Sequence, residues 1–138
     1  METTIKSRAP TAAEEQSDRM NTEPDRTTYE RCHFTCVYCG FYGRGFDAWM
    51  QLSIDHVRPR SCGGTDEPPN RIVACGSCNS ITGRMHFTPE MMREEILNMK
   101  RAYVAESRRG FYNEWITRVA PRYLDRPLSP IEPFSPVQ

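Results

Sequence analysis

The chain carries almost no lysine: of its 18 basic residues, only Lys6 and Lys100 are lysine and all the others are arginine. It has no excess of either charge, because 18 acidic residues balance the basic ones. That balance argues against a simple polyanion binder, a class that normally shows a basic surplus. No apolar stretch approaches the roughly 20 residues that cross a bilayer. No apolar leader core follows Met1, and there are no internal repeats. Without an export signal, the six cysteines are expected to be reduced thiols in a cytoplasm, not a disulfide framework.

Charge is unevenly spread. Residues 1–30 hold four basic and seven acidic side chains, whereas 31–138 hold fourteen and eleven. Scarcely any large apolar residue precedes Tyr29, so a disordered acidic tail is expected over 1–28, dispensable for activity. The segment 121–138 contains five prolines and is expected to be extended or irregular. A folded region over 29–120 is short for a self-sufficient core, and a metal staple is expected on physical grounds.

Within that region, Met50, Leu52, Ile54 and His56 alternate with Gln51, Ser53 and Asp55, which is strand periodicity. Gly63, Gly64, Pro68 and Pro69 mark a loop, and Arg71 to Ala74 is a second short strand. A brief helix over 75–84 follows. A further helix is expected to open at Thr88 as N-cap, with Pro89 in its first turn and Glu90, Glu94 and Glu95 beside its positive end. Met92, Ile96, Met99 and Tyr103 recur at helical spacing, so this stripe is expected to pack on the core. Gly110 is expected to break the helix, with Phe111, Tyr112, Trp115, Ile116 and Val119 in another helical piece.

Two Cys-x-x-Cys pairs carry the first chemical signal. Cys36 with Cys39 and Cys75 with Cys78 supply four soft ligands, and each turn brings two sulfurs to one tetrahedral ion, so structural Zn²⁺ is expected. Cys32 and His33 are second choices as ligands, and Cys62 reads as a free thiol. Four cysteines leave no open position for zinc to activate water.

The second signal lies between the pairs, where Asp55 and His56 adjoin and Asn70 and Asn79 follow. An imidazole is suited to act as a general base near neutral pH. A carboxylate and an amide oxygen are hard ligands suited to Mg²⁺ or Mn²⁺.

Cys36/Cys39, Asp55-His56, Asn70 and Cys75/Cys78-Asn79 together resemble the HNH endonucleases. The resemblance implies an α+β fold: a small ββα-metal domain with a four-cysteine zinc site, here extended by C-terminal helices. It implies metal-dependent hydrolysis of DNA phosphodiester bonds, as nicking or double-strand cleavage. Asp55 and Asn79 would hold the catalytic metal, His56 would activate water, and Asn70 would orient the imidazole through its side-chain carbonyl. The family often carries a lysine where this chain has Thr82. Arg84 is the candidate substitute, and Arg58 and Arg60 are further phosphate-contact candidates. The setting implied is a bacterial or phage-infected cell, with a homodimer or a larger protein partner. The competing reading is a non-catalytic zinc module contacting nucleic acid or protein. The cysteines support both readings equally; Asp55, His56, Asn70 and Asn79 support only the nuclease.

Overall fold

In the computed structural model, residues 23–132 are described. Most of the expected acidic tail, 1–22, and the last part of the Pro-rich segment, 133–138, lie outside them. The elements run α1 (Glu23–Arg31), α2 (Phe46–Trp49), β1 (Leu52–His56), β2 (Arg71–Cys75), α3 (Gly76–Thr82) and α4 (Arg93–Arg118), with 3₁₀ turns at Arg60–Cys62, Pro68–Asn70 and Ala120–Arg122.

β1 and β2 pair antiparallel, with Leu52 opposite Cys75, Ile54 opposite Val73 and His56 opposite Arg71. β2 is buried over Ile72, Val73, Ala74 and Cys75 because it separates two apolar clusters. Val73 packs with Tyr29, Leu52, Val104 and the cysteines. Its neighbour Ile72 points the other way, into Val57, Phe87, Ile96 and Leu97, as strand alternation requires. The order β1, loop, β2, α3 is the ββα arrangement expected above, and the small sheet with its added helices is α+β.

Four expectations about the flanks need correction. Residues 23–28 were expected in the tail, yet they belong to α1, where Thr28 and Tyr29 are buried. Arg71 of β2 forms an ion pair with Asp25, and Arg31 donates to the carbonyl of Pro68 at 2.9 Å. These long-range partners give a polar segment the contacts its own sequence cannot supply. The helix expected at Thr88 begins instead at Arg93. Thr88 and Met91 close a separate turn, and their carbonyls accept from the Arg58 guanidinium, which holds the chain out of the helix.

α4 then continues through Gly110 without a break. A Cβ there would meet nothing within 4 Å, so that face looks onto solvent. Glycine in an exposed turn costs a helix about 1 kcal/mol, too little to end one with good formers on both sides. The expected apolar stripe is also displaced: Met99 and Tyr103 are 42% and 49% exposed, while Ile96, Leu97, Lys100 and Val104 form the buried face. The true stripe contains a lysine, so counting apolar residues alone shifted it by one position.

Candidate functional site

The four cysteines that suggest a structural zinc site come from two turns at one end of the sheet. The first is the knuckle of Cys36 to Cys39, tied to the sheet by Val37 N donating to Val73 O at 3.0 Å. A hydrogen bond from Gly40 N to Cys36 O at 2.9 Å closes it, and Gly40 takes a φ of 80°, which a side chain would resist. The second turn is the passage from β2 into α3, with Cys75 the last strand residue and Cys78 in the first helical turn. All four sulfurs lie within 4.8 Å of one another, and Cys39 Sγ is 3.8 Å from Cys75 Sγ. Zinc–sulfur bonds of about 2.3 Å arranged tetrahedrally give sulfur–sulfur edges of about 3.8 Å, so the cluster has the size zinc requires.

The electrostatics agree with the size. Burial pushes the Cys36 thiol up, but backbone N–H donors of Cys75, Cys39 and Tyr38 outweigh it and hold the thiol below its ordinary range. Cys39 and Cys78 are raised, first by burial and also by the charge on Cys36. Deprotonating these clustered thiols together therefore calls for a cation among them. Cys32 and Cys62 stay outside this cluster. Cys62 Sγ lies 3.5 Å from His86 Nδ1 instead.

Asp55 and His56 end β1. On alternating positions Ser53 and Asp55 share one face, and Asn79 of α3 reaches that face, donating Nδ2 to Ser53 Oγ at 3.4 Å. Asp55 Oδ2 accepts from Tyr38 OH at 2.8 Å and faces Lys100 Nζ at 3.6 Å. Asp55 Oδ1 and Asn79 Oδ1 have no hydrogen-bond partner among the described residues. A carboxylate and an amide oxygen without protein partners are of the donor type suited to Mg²⁺, which keeps most of its water and needs few protein ligands. Burial, with Asp55 nearby, lifts the Tyr38 phenol far above its usual range, so it remains a donor to the carboxylate.

Lys100 was not anticipated as part of the site. It enters from α4, 1% exposed, and donates to His56 O at 2.8 Å and Val57 O at 2.9 Å. Burial lowers its pKa while the Asp55 carboxylate opposes that shift. One signal in the sequence points to it: a lone lysine four residues after Ile96 and four before Val104, on what is otherwise an apolar helix face.

His56 Nε2 lies 2.7 Å from Asp66 Oδ1, and Arg60 donates to both oxygens of the same carboxylate at 2.8 and 3.0 Å. The bond from His56 and then Arg60 hold the Asp66 carboxyl below the usual range. Nothing in the local sequence singles out Asp66.

Asn70 does not reach the imidazole, contrary to the expectation. Its carbonyl accepts from Arg58 N at 2.8 Å, and its amide donates to Arg58 O at 3.0 Å and Thr65 O at 2.8 Å. It staples the loop between the strands, because the turn at Pro68–Asn70 aims the side chain inward across that loop.

The arginines divide. The Arg58 guanidinium is spent on the carbonyls of Cys62, Thr88 and Met91, which removes it as a phosphate contact. Arg60 is exposed and paired to Asp66. Arg84 is exposed and has no ion pair among the described residues. Thr82, at the position of the lysine often found in the family, is buried and donates to Cys78 O at 3.1 Å, so it supports the zinc turn.

The span 36–84, about a third of the chain, matches the family model of the HNH endonucleases. That span contains both cysteine pairs, both strands and α3. The family suggests nuclease activity and implies DNA as the substrate class. No curated protein and no solved structure matches the chain. Among the described residues no helix is long and apolar enough to cross a membrane.

Proposed function

We propose that this chain is a metal-dependent endonuclease that hydrolyses DNA phosphodiester bonds. The observation that carries the reading is the pairing of a hard donor set with a base. Asp55 Oδ1 and Asn79 Oδ1 have no hydrogen-bond partner among the described residues, Asn79 meets the Asp55 side of the strand through Ser53, and His56 is the next residue of the same strand.

Asp55 and Asn79 would hold a divalent cation such as Mg²⁺ or Mn²⁺, which would supply charge to offset that developing on the phosphate and the leaving oxygen. His56 takes a proton from water as its oxygen attacks phosphorus, and the bond from phosphorus to the leaving oxygen breaks. Tyr38 and Lys100 fix the Asp55 carboxylate and reduce the cost of holding its charge in a half-buried site. Arg84 and the outward donors of Arg60 are the phosphate contacts. One centre per chain cuts one strand at a time, so a double-strand cut takes two events or two chains.

The test is plasmid nicking by the zinc-loaded protein with and without Mg²⁺, comparing wild type with His56→Ala. His56→Ala should keep its zinc and fold and lose about 10²–10⁴ in rate, the range for a positioned acid–base group. Equal cleavage by the two proteins, free of contaminating nuclease, would favour a non-catalytic zinc module.

A further inference from the structure

Resting on that hydrolase reading, we infer that Asp66 is the positioning residue of the base: it holds His56 through Nε2–H, leaving Nδ1 as the nitrogen that takes the proton from water.

The loop between the strands is built to deliver this carboxylate. Gly63 adopts a φ of 88°, the left-handed region. At Gly64 the chain doubles back so closely that a Cβ would lie 1.7 Å from Arg58 O. Asn70 then ties the loop on both sides, to Arg58 and to Thr65, the residue immediately before Asp66. Glu67 N donates to Thr65 Oγ1 at 3.3 Å, which closes the turn around Asp66. A carboxylate carried by an untied loop would not hold an imidazole at 2.7 Å; here the backbone on each side is fixed.

The contact also has the chemistry a base requires. A neutral imidazole donates from one nitrogen and accepts at the other, so whichever nitrogen is engaged determines which one is free to react. Asp66 can only accept while ionised, and His56 Nδ1 has no partner among the described residues. The carboxylate also stabilises the imidazolium formed when the proton arrives. Arg60, whose Nη2 donates to both oxygens of the same carboxylate, fixes the orientation of Asp66 and is itself held at the edge of the site. Asn70, the other residue suited to orient the ring, bonds main chain through both its oxygen and its amide nitrogen.

The experiment reads the tautomer directly. Long-range ¹⁵N–¹H spectra of the zinc-loaded chain should show the neutral His56 ring protonated at Nε2. In Asp66→Ala the two tautomers should mix. Its kcat for nicking should fall about 10–100-fold, the range for groups that orient a ligand or base, with a smaller change in KM. Zinc content and thermal midpoint should be retained, and Asp66→Glu should recover part of the rate. A wild-type ring protonated at Nδ1 overturns the assignment of Asp66, as does wild-type kcat in Asp66→Ala; either leaves the hydrolase reading intact. A wild type with the Nε2–H tautomer that cleaves no DNA with any divalent ion overturns the hydrolase reading, and the positioning role with it.

Discussion

Lys100 Nζ stands 3.6 Å from Asp55 Oδ2, with the two side chains 2% and 15% exposed. The same ammonium donates to the main-chain carbonyls of His56 and Val57, so α4 places one buried cation against the end of β1 that carries the Asp-His pair. Aromatic faces of Tyr38 and Phe87 lie 5.6 and 5.9 Å from it and add to its stabilisation.

Replacing that ammonium should therefore be costly. Lys100→Met keeps the volume of the stem but leaves Asp55 with Tyr38 alone and deprives two carbonyls of their donor. Breaking a buried pair from one side costs about 3–5 kcal/mol. Urea unfolding of Lys100→Met should show a lower midpoint with an unchanged slope. A loss below about 1 kcal/mol would mean that water replaces the ammonium, as at an exposed pair.

Zinc should be inseparable from folding. Cys36, Cys75 and Cys78 belong to the buried cluster around Tyr29, Leu52 and Val73, so a metal held there would complete the core. Native mass should show one zinc per chain, and Cys78→Ser or exhaustive chelation should abolish the far-ultraviolet helix signal. A zinc-free wild type with native circular dichroism contradicts this.

The first helix should matter for stability. Asp25 and Arg71 form an ion pair with side chains 16% and 12% exposed, and Arg71 lies opposite His56 in the sheet. Asp25→Ala leaves a guanidinium partly buried without its carboxylate and should lower stability by about 3 kcal/mol. A chain beginning at Tyr29 should melt well below one beginning at Glu23. Equal melting temperatures would show that α1 contributes nothing to the sheet.

The loop glycine and asparagine should affect cleavage through geometry. Gly64→Ala places a Cβ where Arg58 O stands, so the backbone must shift and carry Asp66 with it. Asn70→Ala removes three hydrogen bonds within the loop, worth about 1 kcal/mol each. Both variants should nick DNA more slowly while retaining zinc, since the loop does not contribute a cysteine to the cluster. A wild-type rate in Gly64→Ala would show that the loop position is immaterial.

Both strands, the knuckles and α3 were legible in the sequence because their signals are local. Alternation in Leu52 to His56, the pairing within each Cys-x-x-Cys, and the glycines and prolines between the strands each act over a few residues. The relation of Asp55 and His56 to those elements follows from chain order alone. The two cysteine pairs lie far apart in sequence, but a shared metal preference brings them together, so even that long-range contact could be foreseen.

The rest depended on which distant groups the folded chain brings together. Nothing near Asp66 shows that a loop folded back at Gly64 will set it against His56, and nothing near Asn70 shows that its amide will staple Arg58 and Thr65. Arg58, Arg60 and Arg84 were the candidate phosphate contacts by type, yet the Arg58 guanidinium donates to main-chain carbonyls, as those of Arg31, Arg93 and Arg101 also do. A guanidinium takes whichever acceptor the fold supplies, and composition cannot say which. Lys100 illustrates the same division. The sequence places it on a helix, but only tertiary packing turned that helix so that a lysine faces the core, where Asp55 and two carbonyls offset the cost of burying its charge.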